Sequence, residues 1–197
     1  MKRRTVLGLL CALCCVYGLA LTQPVTVSAQ RSIRDITGTV VGVGGRFGGR
    51  SLPFRLIVNN YSSAEDVQRL NSALQSGGQD EMLRVLSNMN AGRIQVGNNV
   101  GVTANAIISA PEGDGTRIIV LYQRNINFFE VRYGSRSEMY RFGYAEIFLN
   151  RRGNGQGTFI PAARVRLRDG NVWEVEDFGV YPARLMGLQE RGGRRGR

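Results

Sequence analysis

Downstream of residue 32, glycine-dense turns divide the chain into short runs of apolar and β-branched residues. The turns lie at 42–50, 97–99, 111–115 and 151–157. Runs bounded in this way are typical of β-strands joined by tight connections. Because the chain shows no strand–helix–strand alternation, nothing in it favours the crossovers that parallel strands require. The pattern therefore restricts the chain to antiparallel β architectures.

We predict a mainly β fold, an antiparallel barrel or sandwich of about nine strands. Candidate strands lie at 33–43, 52–59, 93–96, 100–110, 116–124, 127–133, 139–149, 158–168, 172–177 and 183–188. The run 116–124 is apolar and predicts a central strand. The run 139–149 is aromatic and suits either a packed core or the wall of a cavity.

Between residues 60 and 92 the apolar spacing changes to that of a helix. Ser62 and Glu65 fit a capping box, and Gly77 and Gly78 predict a stop. Apolar residues recur at helical spacing before and after this stop, at Val67, Leu70, Leu74, Met82, Val85, Leu86 and Met89. The sequence therefore predicts an inserted two-helix hairpin at about 63–90, covering a sheet edge or one barrel mouth.

Strict alternation of arginine and apolar residues at 163–168 predicts the register of one strand pair. With a three-residue loop at 169–171, apolar residues face apolar residues and each arginine faces a glutamate. The expected pairs are Leu167–Trp173, Arg166–Glu174, Val165–Val175 and Arg164–Glu176. A two-residue loop would place Val165 opposite Glu174, which is less favourable.

The N-terminal residues 1–29 have the order of a secretory signal peptide. A basic start at 2–4 precedes an apolar run at 6–21, and small residues flank Ser28 before the expected cleavage after Ala29. The alternative is an uncleaved anchor, but the run is shorter than the roughly 20 residues of a membrane-spanning helix. We expect a secreted or periplasmic protein with one β-rich domain at 30–189 and no transmembrane segment after cleavage.

The predicted mature chain lacks three chemically important residue types. All three cysteines and the single lysine lie in the signal segment, and the chain has no histidine. The usual nucleophiles, general bases and transition-metal ligands are therefore missing, and we expect no catalytic residue, metal site or cofactor. Carboxylate chemistry remains open, with Glu146 as the strongest candidate acid. The alternative for Glu146 is an outward-facing strand residue, or a partner of Arg141 or Arg164.

Two turns carry candidate anion-binding arginines. The glycine-dense loop at 42–50 contains Arg46 and Arg50, and a second turn contains Arg151 and Arg152. The planar guanidinium suits phosphate and carboxylate groups. The loop lacks the Gly-Lys-Ser/Thr ending of a phosphate-binding loop and does not open a helix, so its glycines are more typical of a hairpin.

Residues 190–197 form a glycine- and arginine-rich terminus that we expect to be disordered. Its arginines are Arg191, Arg194, Arg195 and Arg197. The formal net charge of the whole chain is +11, and the terminus contributes part of it. We expect it either to attach to anionic envelope polymers or lipid head groups, or to act only as a solubilising segment. Nucleic acid is not an expected partner of an exported protein.

The two halves of the chain resemble a family of small secreted bacterial proteins with no assigned function. In the front half the resemblance rests on residues 54–58, Leu70, Leu74, 77–79, Leu83, Leu86 and 92–94. In the back half it rests on residues 117–121, 127–130, 175–179 and 182–185. These motifs look structural, so the resemblance implies a bacterial secreted single domain and no catalytic residues.

The sequence thus predicts a non-enzymatic binding or structural protein of unknown ligand. The alternatives are a small-ligand-binding β-barrel and a carboxylate-based hydrolase. A filled core favours the first reading, and an open apolar cavity favours the ligand barrel. A deep aromatic pocket with a buried carboxyl would favour the hydrolase.

Overall fold

The computed structural model describes residues 33–43, 49–124, 139–168, 172–177 and 182–191. Within these residues the chain forms ten strands and one helix. Their bounds are β1 (Arg34–Val41), β2 (Ser51–Val58), α1 (Ala64–Ser87), β3 (Gly92–Val96), β4 (Val102–Ala104), β5 (Ala106–Glu112), β6 (Gly115–Gln123), β7 (Phe142–Leu149), β8 (Asn154–Arg168), β9 (Val172–Asp177) and β10 (Ala183–Arg191). The predicted signal peptide and the predicted strand at 127–133 lie outside the described residues.

The strands form one antiparallel sheet in the order β4-β3-β2-β1-β10-β8-β7-β6-β5, and β9 pairs with β8 beside this path. The two ends of the order, β4 and β5, are consecutive in the chain and separated only by Asn105. Chain continuity thus brings the ends of the sheet together, and the sheet is nearly closed into a barrel. The prediction of a mainly antiparallel β fold is confirmed.

The inner face of the sheet is packed with apolar side chains. Alternate residues of each strand point inwards, as the two-residue period requires. In β2, for example, Phe54, Leu56 and Val58 are buried, whereas Arg55 is exposed. The largest fully buried members of this inner cluster are Ile36, Phe54, Leu56, Ile107, Ile118, Ile147 and Leu185. These side chains occupy the interior.

The helix α1 packs on the outer face of β6, β7 and β8. Its buried residues are Leu70, Ala73, Leu74, Met82 and Leu86, and all except Ala73 belong to the predicted set. The three leucines and Met82 contact a second cluster that includes Leu121, Tyr144, Ile160 and Val165. The helix therefore covers a sheet face, not an edge or a mouth as predicted. Because β6 lies between the two clusters, its apolar run at 116–124 is explained.

The prediction of a two-helix hairpin is wrong, because α1 is a single helical element. Only Gly78 leaves the helical conformation, with φ 65° and ψ −150°, and it kinks the helix. Glycine adopts this positive φ without the steric cost of a Cβ, and the helix continues directly after it. The capping box is formed by Ser63 and Asp66, one residue later than predicted.

The predicted register of β8 and β9 is confirmed. Leu167 pairs with Trp173, and the neighbouring pairs follow as expected from a three-residue loop. The ion pair differs from the prediction, because Arg166 contacts Glu176 at 3.0 Å instead of the directly opposite Glu174. The arginine side chain is long enough to reach the diagonal neighbour on the facing strand. Register alone therefore does not determine which glutamate it contacts.

Candidate functional site

The outer surface of β10, β1, β2 and β3 is exposed to solvent, in contrast to the part beneath α1. We call this surface the basic face, because Arg55, Arg93, Arg184 and Arg191 project from it and are all exposed. Each alternates with inward apolar residues, as Arg93 does between Gly92 and Ile94. The two-residue period of the strands therefore directs these arginines outwards.

Strand register aligns part of the basic face into one row. Arg191 pairs with Asp35, Asp35 with Ile57, and Ile57 with Arg93. Thr103 of β4 completes the row. The row therefore carries the guanidinium groups of Arg191 on β10 and Arg93 on β3, and adjacent strands between them are about 4.8 Å apart.

A single aspartate on this row is held by a neighbouring arginine. Arg55 donates two hydrogen bonds to Asp35, of 3.0 Å and 2.8 Å. This contact, with a smaller contribution from Arg191, holds the pKa of Asp35 below its usual value. Asp35 therefore stays ionised and orients Arg55, while Arg93 and Arg184 lie further from it along the face.

A polar cleft of about 550 Å³ adjoins the basic face at its β3 edge. Arg93 and Thr103 belong to both. The other lining residues come from the end of α1, the β3–β4 hairpin and the end of β6: Ser87, Asn88, Met89, Asn90, Gly101, Val102, Asn105 and Gln123. Amides and hydroxyls dominate this lining, so the cleft is suited to a polar, hydrogen-bonding group.

Asn105 fixes the walls of the polar cleft. Its side chain is buried, donates to the carbonyl of Met89 at 3.0 Å, and accepts from the amide of Gln123 at 2.9 Å. These bonds connect the chain just after α1 to the end of β6. On the facing wall, Arg93 donates to the carbonyl of Val100 at 3.1 Å. The cleft is therefore built from bonded elements on both sides.

The structure describes three of the four predicted anion-binding arginines, on the two turns named above. Arg46 lies outside the described residues. Arg50 is exposed beside the β1–β2 hairpin, at the end of β1 where Val41 pairs with Arg184. Arg151 and Arg152 are exposed in the β7–β8 turn, next to Glu190 at the other end of β10. Arg50 and the pair Arg151 and Arg152 therefore lie at opposite ends of the basic face.

The C-terminal strand extends further than predicted. Glu190 and Arg191, assigned to a disordered terminus, are residues of β10 and pair with Ile36 and Asp35. Residues 192–197 lie outside the described residues. The arginines at 194, 195 and 197 thus follow directly from a strand of the basic face.

The candidate acid Glu146 is ion-paired on the outer surface. Its carboxylate accepts from Arg117, a partner that the sequence did not indicate. It does not line the polar cleft. Among the residues with described positions, no group of three or more His, Cys, Asp or Glu side chains is gathered where it could hold a metal ion.

Sequence patterns gave no direct sign of Arg93 as a site residue. The alternation of apolar and polar residues in β2 and β3 indicates only that Arg55 and Arg93 lie on the face opposite the apolar residues. In the described part of the chain, no helix has the length and apolar character needed to cross a membrane.

The chain matches no protein-family model, no curated protein and no solved structure. The resemblance to small secreted bacterial proteins therefore stays a prediction.

Proposed function

We propose that this protein is a secreted or periplasmic, non-enzymatic binding protein that attaches to an anionic polymer of the cell envelope through its basic face. The observation that carries the proposal is that Arg55, Arg93, Arg184 and Arg191 all project outwards from neighbouring strands of one exposed sheet surface, with Arg93 and Arg191 in the same row. Guanidinium groups recognise phosphates and carboxylates through paired hydrogen bonds. Several such contacts on one surface suit a ligand with repeated charges.

The adjoining polar cleft favours a polymer over a membrane surface. Arg93 and Thr103 line the cleft as well as the basic face, so one polar unit of a bound chain can enter it. A lipid head-group layer would offer its charges in a plane and would have no comparable use for the cleft. The apolar packing inside the barrel also supports binding at the surface over a ligand held in the interior.

The arginine-rich terminus would strengthen this attachment. Arg191 ends β10 on the basic face, and Arg194, Arg195 and Arg197 follow it in the chain. Charges close to one another on the same partner add to affinity and make it sensitive to salt. Deletion of residues 192–197 should therefore reduce retention on a polyanion and leave the thermal unfolding temperature unchanged.

The experiment compares two double variants with the same change of charge. Arg93→Gln with Arg184→Gln removes two charges from the basic face, whereas Arg69→Gln with Arg84→Gln removes two exposed charges from α1. Retention on immobilised heparin is measured against salt, together with binding to phosphatidylglycerol vesicles. We expect the first variant to elute at clearly lower salt and the second to elute near the parent.

Equal losses in both variants would mean that only net charge matters, and the basic face would then have no special role. Binding to vesicles without binding to the polyanion would identify a lipid surface as the partner instead. Export is tested separately by the intact mass of the protein outside the cytoplasm, which we expect to begin at Gln30. A mature chain that retains Cys11 would contradict cleavage after Ala29.

A further inference from the structure

Three side chains of the polar cleft can both donate and accept hydrogen bonds. Asn90, Thr103 and Gln123 line the cleft and are exposed to solvent, so a bound molecule can reach their amide and hydroxyl groups. An amide offers two donor hydrogens and one acceptor oxygen, and a hydroxyl offers both functions on one atom. The hydroxyl groups of a ligand have the same double character, so they match this lining.

Arg93 gives the described lining of the cleft a positive charge. Its Nη1 donates to the carbonyl of Val100 at 3.1 Å, and the side chain is exposed. This bond ties the guanidinium to the β3–β4 hairpin and uses one of its five N–H donors. The other donors can bind an anionic group in a paired geometry. The cleft therefore suits a ligand that has an acidic group beside its hydroxyls.

The end of α1 gives such a ligand a direction. Ser87 is the last residue of the helix and Asn88 is its C-cap, and both line the cleft. The carbonyls at the C-terminal end of a helix carry a partial negative charge, which disfavours an anion and favours hydrogen-bond donors. Arg93 lies on the facing wall. A ligand would thus turn its acidic group towards Arg93 and its hydroxyls towards α1.

Two half-buried apolar side chains complete this lining. They are Met89, just after α1, and Val102, the first residue of β4. Apolar side chains of this kind can pack against the C–H groups of a sugar ring, whose hydroxyls point outwards. The cleft volume of about 550 Å³ lies within the range of about 300–1,000 Å³ that is usual for ligand sites.

We propose that the polar cleft binds one acidic sugar unit, with its acidic group on Arg93 and its hydroxyls on Asn90, Thr103 and Gln123. The polymer held by the basic face is then an acidic polysaccharide. This inference rests on the proposed attachment through the basic face and names the class of polymer. An acidic polypeptide or a polyphosphate presents comparable charges without a hydroxylated ring, and it would gain less from this lining.

The test compares tetragalacturonate with tetraglutamate blocked at both ends, two oligomers of equal charge, by calorimetry on the full mature chain. We expect the sugar to bind about tenfold more tightly. Thr103→Val removes a hydroxyl but keeps the branched shape, and Asn90→Ala removes an amide. Each should weaken sugar binding about two- to tenfold, the equivalent of one neutral hydrogen bond, and leave tetraglutamate binding unchanged.

Asn98→Ala is the matched control, because Asn98 is an exposed asparagine of the same hairpin that does not line the cleft. It should bind both oligomers as the parent does. A tetrasaccharide with one sulfate ester on each ring has the same charge and distinguishes the acidic group. Tighter binding of this probe than of tetragalacturonate would identify a sulfated sugar, and weaker binding would identify a uronic acid.

The proposal is overturned if tetragalacturonate binds the parent no more tightly than tetraglutamate, or if Asn98→Ala weakens sugar binding as much as Thr103→Val. Retention of the parent on heparin would then leave attachment through the basic face in place, since these three substitutions do not change the charge of the protein. Failure of the parent to bind heparin would instead contradict the proposed function itself.

Discussion

The outer surfaces of β6–β8 and of β10–β3 belong to the same sheet but differ in what covers them. Beneath α1, outward residues such as Leu121 and Tyr144 are buried as deeply as the inward ones. On the basic face, outward residues such as Arg55 and Arg184 are exposed, and only the inner face is packed. One side of the barrel is therefore buried on two faces and the other on one.

This difference separates stability from binding within one domain. Apolar area removed from water is the main stabilising term, so the helix-covered side should contribute more to the free energy of unfolding per residue. Outward residues on the basic face bury little apolar area, so substituting them should change the free energy of unfolding only slightly. Chemistry that needs exposed charge is accordingly found where packing makes the fewest demands.

The largest expected effect comes from truncating the helix contact. Leu70 and Leu86 are fully buried against β6–β8, so Leu70→Ala or Leu86→Ala should each lower the free energy of unfolding by about 2–5 kcal/mol. The control Leu52→Ala, at a side chain 40% exposed on the open side, should cost much less. Urea unfolding measures all three. Losses near zero at both helix positions would show that α1 lies loosely on the sheet.

A smaller effect is expected where the two ends of the sheet meet. Asn105→Ala removes the acceptor of the Gln123 amide and the donor to the Met89 carbonyl. Each buried backbone group left without a partner costs about 1–3 kcal/mol. Hydrogen exchange should also become faster at Gln123. An unchanged unfolding curve would mean that water replaces the side chain.

Alkaline pH should weaken the helix-covered side. Burial raises the pKa of Tyr144 to about 12, above its value near 10 in an unfolded chain. The stabilisation is complete below pH 10 and is lost as pH rises through the folded pKa, on the order of 1 kcal/mol by pH 11. Unfolding at pH 9 and 11 measures this slope, and Tyr144→Phe should reduce it. An unchanged slope in that variant would assign it to other groups.

The smallest effect on stability is expected on the basic face. Asp35→Asn breaks an exposed ion pair with Arg55 and should cost less than about 1 kcal/mol. Because the pKa of Asp35 is lowered in the folded protein, its contribution is present above its unfolded pKa and disappears as pH falls through the folded value. The variant should bind polyanions more tightly. Weaker binding would show that Asp35 orients Arg55 for the ligand.

Local patterns predicted much of this fold. The alternation at 163–168 was enough to set the β8–β9 register, and the buried helix positions followed from their spacing. The sequence could not decide which of two adjacent serines caps the helix. Ser62 and Ser63 each precede an acidic residue by three positions, and Ser62 is taken instead by a bond from the amide of Ile107. That contact joins distant parts of the chain.

The site was less predictable because it depends on strand order. Nothing local indicates that β10 inserts between β1 and β8, which separates Arg50 from Arg151 and aligns Arg191 with Arg93. Which carboxylate an arginine contacts also depends on the assembled sheet, as the ion pair of Arg117 with Glu146 shows.

The position of β10 has a consequence for how the chain folds. On one side β1 pairs with β2, which is close in sequence. On the other side it pairs with β10, the last strand, which begins at Ala183. Contacts of such large sequence separation form slowly, and unpaired strand edges promote association between chains. A chain emerging from its N-terminus would hold β1 and β8 with open edges until its final segment arrived. We therefore expect truncation before Ala183 to yield an aggregating product, and a holding chaperone to increase the yield of the complete chain.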